Sequence, residues 1–389
     1  MKIKGFLLSG IAAGIKKNGK KDLALILSEV ASSAAGVFTT NVVKAAPVII
    51  TEKRIKKGYA RAILANSGCA NACTGNEGED AALMLSDSIS KSLGIRNEEI
   101  LLASTGVIGE PMPVRGIRQR LPVLIKNLSA NALNYAAEAI MTTDTFPKIA
   151  GEKVKIGRDY VSIAGIAKGA GMIQPGMATM LSFIITDADV NPEALRLFLQ
   201  KSVEKTFNRI TVDGDMSTND TVLMLANGLS GVDISVRGGI GKFSEALENV
   251  CKSLSLMIVK DGEGATKVVE IEVQGAKSKG DARQIAYKIG NSPLVKTAIF
   301  GCDPNWGRVL AAAGASGVRF DPNKTDIFFD NVQIVKNGIG TGREDLTKKI
   351  MAKKRYRIIV NIRSGDGCFS LFTSDMTHEY ITINSSYRS

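Results

Sequence analysis

Short apolar runs typical of β-strands alternate with helical patterns along this chain, and this alternation constrains the fold more than any other feature. The strand candidates are Arg61 to Ala65, Ile100 to Ala103, Tyr160 to Ile163, Met180 to Ile185, Val222 to Ala226, Val268 to Val273, Asp326 to Phe329 and Tyr356 to Ile362. The long helix candidates are Glu79 to Leu93, Pro192 to Thr206, Lys242 to Ile258 and Asp281 to Ile289. Helix starts are indicated at Asn191-Pro192 and at Asp281, where a capping side chain or an early proline suits the unpaired amides. The pattern predicts an α/β layered fold in which sheets are sandwiched with helices.

The length of the chain allows either two lobes or one large layered domain. Its 389 residues are 44% hydrophobic, which is enough for a sizeable core. No repeat with a period of about 20 to 50 residues and no low-complexity linker divides the sequence. The best candidate break is the glycine-rich stretch KGAGMIQPGMATML, Lys168 to Leu181, which separates residues 1–178 from residues 179–389.

The charge balance favours small anionic partners over nucleic acid. The chain has 50 basic and 38 acidic residues, a formal charge of +12. The basic clusters are Lys16 to Lys21, Lys53 to Lys57 and Lys353 to Arg355. They are short and scattered, and aromatic residues make up only 5% of the chain, whereas a nucleic-acid interface combines a basic face with stacking side chains. Solvated faces and carboxylate substrates are therefore expected, with no nucleic-acid partner.

The cysteines do not form a disulfide framework or a metal site. Five of them are dispersed along the sequence: Cys69, Cys73, Cys251, Cys302 and Cys368. Cys69 and Cys73 have the spacing C-x3-C, but no second cysteine pair or histidine cluster follows to complete a zinc site. A reducing compartment and no metal are predicted.

The N-terminal run Gly5 to Ile15 follows two lysines and has some features of a signal peptide. It is rich in glycine and passes directly into the basic cluster Lys16 to Lys21 without a clear cleavage motif. No other run approaches the ~20 apolar residues of a membrane span. We expect a soluble, cytoplasmic protein without a membrane partner.

Histidine, the usual general base, is nearly absent. The single His378 has no G-x-S-x-G serine to serve, and a lone histidine is ordinarily a surface or core residue. A threonine can instead use its own α-amine as the base, provided that the chain is cut before it. Ala178-Thr179, after Pro175-Gly176, supplies a small residue and a hydroxyl in a glycine-rich turn, where attack of Oγ on the preceding carbonyl is favoured.

Three other polar segments are candidates for the same site. Ala103 to Gly109 ends an apolar strand with a glycine turn, a place where backbone N–H groups and a hydroxyl can face an oxyanion. Asn66 to Gly75 and Asp213 to Asp220 are dense in small polar groups, although tight turns explain them almost as well. The glycine clusters Gly238 to Lys242 and Gly338 to Gly342 lack the spacing of a phosphate-binding loop and indicate turns.

Several longer motifs occur in one order along the chain. They are Ala35 to Asn41, Asn66 to Gly75, Ser104 to Gly109, Met141 to Lys148, Lys168 to Leu181, Asp261 to Lys267, Asp303 to Arg308 and Asn384 to Ser389. With these motifs the sequence resembles, over essentially its whole length, the glutamate N-acetyltransferase or ornithine acetyltransferase family of arginine biosynthesis. The resemblance implies a fold of the ornithine acetyltransferase type and a precursor that cuts itself between Ala178 and Thr179. The products are an α chain of residues 1–178 and a β chain of residues 179–389.

The resemblance also implies roles for individual residues. Thr179 is the nucleophile, and Thr105 with Gly106 stabilises the oxyanion. The substrate contacts are Thr142, Lys168, Thr179, Glu263, Asn384 and Ser389. The last residue departs from the family's usual threonine, and Ser385-Ser386 replaces a more usual alanine and acidic residue.

The activity implied is transfer of an acetyl group from N2-acetylornithine to glutamate through an acetyl-threonine ester. No cofactor is expected, and the motifs leave open whether acetyl-CoA is a second acetyl donor. The resemblance suggests a heterotetramer of two α and two β chains.

Two other functions are compatible with parts of the sequence. A self-processing threonine-nucleophile amidohydrolase or aminopeptidase would use the same nucleophile but pass the acyl group to water. A basic binding protein without catalysis would remain a single uncut chain.

Overall fold

The computed structural model describes residues 1–174, 180–236 and 238–386 of the chain. The chain divides into two compact units. The first unit contains the described residues of Met1–Asn208 and Asp215–Ile258, and the second contains Arg209–Gly214 and the described residues from Val259 onwards. Ala178, Thr179 and Ser389, three of the predicted site residues, lie outside the described residues.

The first unit is built on an eight-stranded sheet with helices. Its strands are β1 (Phe6–Ile11), β2 (Leu23–Phe38), β3 (Tyr59–Cys69), β4 (Ile100–Val107), β5 (Lys148–Ile156), β6 (Asp159–Lys168), β7 (Leu181–Thr186) and β8 (Thr221–Ala226). Its helices are α1 (Ala46–Ile55), α2 (Gly75–Leu93), α3 (Val114–Lys126), α4 (Leu133–Ile140), α5 (Pro192–Lys205) and α6 (Gly239–Lys260), the last of which runs past the end of the unit. The strand order is β4-β3-β2-β8-β7-β6-β5, with β1 paired to β2.

Both faces of the first sheet are buried, as the alternation of side chains along β2 shows. Ala24 and Ile26 pack with α4 residues on one face, whereas Leu23 and Leu25 pack with residues of α2 and α3 on the other. Neighbouring side chains on a strand point to opposite faces, so a strand covered on both sides must be apolar throughout. This explains why β7 and β8 are uninterrupted runs of buried residues.

The second unit has a six-stranded sheet in the order β12-β11-β10-β13-β9-β14. Its strands are β9 (Val268–Ala276), β10 (Asp326–Phe329), β11 (Val332–Lys336), β12 (Ile339–Gly340), β13 (Arg355–Asn361) and β14 (Gly367–Ser374). The helices are α7 (Lys279–Gly290), α8 (Pro293–Phe300), α9 (Trp306–Gly314), α10 (Glu344–Met351) and α11 (His378–Ser386). The central strands β9 and β13 are parallel, and their inward residues form the core with α7, α8 and α9.

The predicted layered α/β fold is confirmed, and each predicted strand and helix overlaps an observed one. One helix start differs from its prediction: α7 is capped by Ser278, whose hydroxyl accepts from the N–H of Asp281, so Asp281 lies within the first turn. The cap at Asn191 is as predicted, because its side chain accepts from the N–H of Ala194.

The compact units do not divide at the predicted chain break. Strands β6 and β7, on either side of that break in sequence, are antiparallel neighbours in one sheet, with Lys168 opposite Leu181. The predicted break therefore falls within the first unit. Whether the chain is cut there stays a prediction.

The N-terminal run that has some features of a signal peptide forms β1, with Phe6 opposite Ser28 of β2. Among the described helices, none combines the length and the apolar character needed to cross a membrane.

Candidate active site

Thr105 and Gly106, the predicted oxyanion residues, lie near the end of β4, where β4 runs parallel to β3. Gly106 has a φ of +133° and lies opposite Gly68, and a Cβ on it would be 2.3 Å from the carbonyl carbon of Gly68. Only glycine allows the two backbones to approach so closely. The glycine turn read from the sequence is therefore required by strand pairing as well as suited to an oxyanion.

Lys168, a predicted substrate contact, is the last residue of β6 and is buried. Its ammonium group donates to the hydroxyl of Thr105 over 3.4 Å. The structure thus brings together two predicted site residues that are far apart in sequence, at the ends of β4 and β6.

Asp144 connects a third predicted residue, Thr142, to this pair. Its carboxylate accepts from the ammonium of Lys148 at 2.6 Å, from the N–H of Gly169 at 2.7 Å and from the N–H of Thr142 at 2.8 Å. Burial by itself raises the pKa of Asp144, but the charges of Lys168 and Lys148 and the Gly169 hydrogen bond outweigh it and lower the pKa to about 2. An ionised carboxylate therefore anchors the segment that carries Thr142. Sequence reasoning did not single out Asp144, although it lies in a quoted motif.

Thr142 and Asp144 line a cavity of about 330 Å³ together with Lys16, Lys20 and Lys21. This volume is in the range of small-molecule sites. Lys16 donates to the carbonyl of Met141 at 2.6 Å, and burial lowers its pKa to about 8, partly opposed by nearby carboxylates. The basic cluster predicted as a solvated face thus contributes three lysines to a cavity wall, and two of them, Lys16 and Lys21, are half-buried.

The polar segment Asp213 to Asp220 contributes two buried side chains to the same region. The amide of Asn219 donates to the carbonyls of Ala70 at 2.7 Å and Ser104 at 2.8 Å, so it joins the two other polar segments predicted for the site. Asp220 accepts from the N–H of Met180 at 3.0 Å. The sequence indicated a site-lining segment here but gave no separate role to either residue.

Glu263 and Asn384, two further predicted substrate contacts, belong to the second unit. The amide of Asn384, on α11, donates to Oε2 of Glu263 over 2.8 Å. The segment carrying Glu263 is held by Asp375, which accepts from the N–H groups of Thr266 at 2.8 Å and Lys267 at 3.0 Å. A carboxylate and an amide are thereby presented side by side, a pair suited to an ammonium ligand.

A buried lysine supports this second group. Lys296, on α8, is 1% exposed and donates to the hydroxyl of Thr373 at 3.1 Å and that of Ser374 at 3.3 Å. Burial lowers its pKa to about 8, and the charges of Asp213 and Asp375 oppose that effect. The bonds of Lys296 hold the end of β14, which leads directly into Asp375. No sequence signal set this lysine apart, because it lies in an ordinary helical pattern.

The predicted nucleophile Thr179, its neighbour Ala178 and the terminal Ser389 lie outside the described residues. The lone His378 is exposed at the start of α11, so of the two ordinary positions expected of it, surface or core, it has the surface one.

Comparison with known proteins identifies the chain's relatives. Residues 7–389 match the ArgJ family. The chain belongs to this family. It is 46% identical over 392 residues to the arginine biosynthesis bifunctional protein ArgJ of Geobacter sulfurreducens, covering 100% of both chains. The ArgJ protein of Desulfotalea psychrophila is 48% identical over 394 residues, again with 100% of both chains covered.

A crystal structure of ornithine acetyltransferase from Mycobacterium tuberculosis, in complex with ornithine, is also similar. It is 36% identical, covers 44% of this chain and 92% of its own, and has a TM-score of 0.41. The resemblance drawn from the motifs is confirmed by the ArgJ family match. The predicted acetyltransferase of arginine biosynthesis is confirmed with it.

Proposed function

We propose that this ArgJ-family enzyme transfers the acetyl group of N2-acetylornithine to glutamate through an acetyl ester on Thr179, after self-cleavage between Ala178 and Thr179. The observation that carries this route is the contact of Lys168 with Thr105, at 3.4 Å between ammonium and hydroxyl. The cation, Lys168, is buried at the end of β6, the strand that precedes the Ala178–Thr179 segment in sequence. The contact joins it to Thr105, the predicted oxyanion residue on β4.

In the first half-reaction, Oγ of Thr179 attacks the acetyl carbonyl of N2-acetylornithine. The α-amine of Thr179 accepts the hydroxyl proton, and Thr105 and Gly106 stabilise the oxyanion that forms. The intermediate collapses by breaking the bond between the acetyl carbon and the α-nitrogen of ornithine. The leaving nitrogen takes up the proton, so ornithine departs as the free amino acid.

In the second half-reaction, the α-amine of glutamate attacks the ester carbonyl. Oγ of Thr179 is the leaving group and recovers a proton, and N-acetylglutamate is released. An ester keeps enough reactivity for an amine to reclaim the acetyl group without ATP. No cofactor enters either step.

Substrate charge is matched by the two described groups. Donor and acceptor share an α-carboxylate, for which buried Lys168 supplies positive charge, and Thr142 is a further contact proposed from the family motif. The δ-ammonium of ornithine is matched by Glu263, to which Asn384 is bonded. Ser389 is proposed as a further contact from the family motif. We expect Lys168→Met to raise the KM for N2-acetylornithine, and unchanged kinetics would remove this role.

The transfer is tested with purified enzyme and N2-acetylornithine, with and without glutamate. Without glutamate, transfer predicts that ornithine release stops at about one equivalent per enzyme, and repeated turnover requires glutamate, whereas equal steady release without glutamate indicates an amidohydrolase. Acetyl-CoA is supplied in a parallel reaction, because its use as a second donor is open.

A denaturing gel of wild type and Thr179→Ala tests the cut: two fragments are expected from wild type and one 41.4 kDa band from the variant.

We further propose, from the family resemblance, that the enzyme acts in the cytoplasm as a heterotetramer of two α and two β chains. The mass of the native protein from light scattering, compared with the mass of one cut chain, tests the assembly.

A further inference from the structure

Asp220 is buried directly before β8, and Met180 directly before β7. Oδ1 of Asp220 accepts from the N–H of Met180 over 3.0 Å, and the carbonyl of Met180 accepts from the N–H of Thr221 over 3.1 Å. Both backbone polar groups of Met180 are thus held. The side chain of Asp220 extends the β7–β8 pairing by one residue beyond the strand.

The carboxyl group of Asp220 has only one oxygen in use. Oδ2 is buried and has no hydrogen-bond partner within residues 1–174, 180–236 and 238–386. A buried carboxylate with an unsatisfied oxygen is costly, and protonation removes most of that cost. Burial raises the pKa of Asp220 well above its usual range, and the Met180 hydrogen bond and the charge of Lys168 offset this only in part. The nearby hydroxyl of Thr39 donates to the carbonyl of Ser217 over 2.8 Å instead.

We propose that Asp220 is a positioning residue for acetyl transfer, which acts as an uncharged carboxylic acid and holds the backbone of Met180 where the chain enters β7. The proposal rests on the proposed function, in which Thr179 is the nucleophile. Thr179 directly precedes Met180 in sequence, and the N–H that Asp220 binds is that of Met180. A nucleophile displaced by about 1 Å loses about 100-fold in rate.

The absence of charge on Asp220 has its own chemical use. A carboxylate near the free α-amine of an N-terminal threonine stabilises the protonated amine, which is inactive as a base. An uncharged acid supplies the same hydrogen bond to the backbone without that effect. Asp220 therefore anchors the entry to β7 through the Met180 N–H without adding a negative charge there.

Two substitutions separate the hydrogen bond from the charge. Asp220→Asn keeps an oxygen that accepts from the Met180 N–H and carries no charge, so we expect it to retain at least about one third of the wild-type kcat. Asp220→Leu has similar volume but no acceptor, and we expect its kcat to fall about 100-fold while the KM for N2-acetylornithine changes less than about threefold. Circular dichroism and the Tm establish that each variant is folded.

Either of two kinetic results overturns the proposal. A kcat for Asp220→Asn as low as that of Asp220→Leu means that a charged or ionisable group is needed. A wild-type kcat for Asp220→Leu means that the Met180 anchor is not needed. If the leucine variant does not fold, the asparagine variant and the spectroscopic measurement below still decide.

Difference infrared spectroscopy reads the protonation state without any substrate. At pH 7 the spectrum of wild type minus Asp220→Asn should contain the carbonyl stretch of a protonated carboxylic acid. A carboxylate band in its place overturns the proposal. Failure of acetyl transfer itself would appear in the wild-type assay and would leave this measurement unaffected, so the two failures are distinguishable.

Discussion

At the scale of single residues, the buried carboxylate of Asp144 shows how charge is organised in the first unit. It accepts from the ammonium of Lys148 and from two backbone N–H groups, and its side chain is fully buried. Removing one partner of a buried ion pair leaves the other charge uncompensated, which is costly. The lysines near Asp144 are therefore tolerated in the interior because this one carboxylate remains ionised.

We predict that Asp144→Asn lowers the free energy of unfolding by about 3 kcal/mol at pH 7. Because the native pKa of Asp144 is lowered to about 2, the stability from its charge is fully present above about pH 4 and is lost as the pH falls towards 2. Urea unfolding from pH 2 to pH 6 should show a loss of about 2 kcal/mol in the parent that the variant lacks. The measurements belong in the uncut Thr179→Ala background, in which the two parts of the chain stay covalently joined, and at one fixed protein concentration.

The matched control is Asp345→Asn. Asp345 likewise pairs with a lysine close in sequence, Lys348 on α10, but its side chain is 87% exposed. Its substitution should leave the unfolding free energy nearly unchanged. Equal effects of the two variants would contradict the prediction.

A second residue-scale prediction concerns Gly106. In Gly106→Ala the new methyl group meets the backbone of Gly68 at 2.3 Å, so β3 and β4 must move apart. We expect a loss of at least about 2 kcal/mol in stability and about 100-fold in kcat, since the proposed oxyanion donor moves with the strand. Gly109→Ala is the control, because Gly109 also has a positive φ, +80°, but nothing lies within 4 Å of its added Cβ. It should lose about 1 kcal/mol and keep its activity.

At the scale of elements, the segment from Asp261 to Lys267 is placed by bonds to the end of β14 and the start of α11. The carboxylate of Asp375 accepts hydrogen bonds from two backbone N–H groups of this segment and from the hydroxyl of Thr266. The hydroxyl of Thr377 donates to the carbonyl of Gly264 over 2.8 Å. The position of Glu263 is consequently decided by residues more than a hundred positions away in sequence.

We predict that Asp375→Ala raises the KM for N2-acetylornithine about tenfold with a smaller change in kcat, because Glu263 loses its support. Steady-state kinetics measure both constants. Asp366→Ala, at an exposed aspartate between β13 and β14, is the control and should leave them unchanged. If Asp375→Ala binds substrate as wild type does, the segment does not need this anchor.

At the scale of the whole molecule, the predicted α and β chains share one sheet. β6 belongs to one and β7 to the other, and the two strands pair from Ile163 opposite Thr186 to Lys168 opposite Leu181. All six residues of β7 are buried. Separating the chains would expose this apolar strand and break its ladder, at a cost of about 1.5–3 kcal/mol for each large side chain.

We therefore predict that the two fragments co-elute in size-exclusion chromatography and separate only in concentrated urea. A denaturing gel of the native peak should show both fragments in equal molar amounts. Separate elution of the fragments without denaturant would contradict the shared sheet. Thr179→Ala, expected to stay uncut, gives the reference elution volume.

The sequence alone was sufficient for the elements whose signals are local. The apolar run before Asp187 predicted β7, and Asn191-Pro192 predicted the start of α5 with its cap. The motifs also predicted the family, because they lie in one order along the chain. These features depend on neighbouring residues and need no knowledge of the fold.

Other features depended on tertiary structure. The long strand β2 was missed because serine, alanine and glutamate interrupt its apolar pattern, and pairing with β1, β3 and β8 stabilises it instead. The partners of Asp144, Asp220 and Asp375 were not predicted, because a carboxylate's role is set by what surrounds it once it is buried. Sequence determined which residues could do the chemistry. Only the packing of distant strands decided that these three carboxyl groups are buried and which backbone N–H groups each one binds.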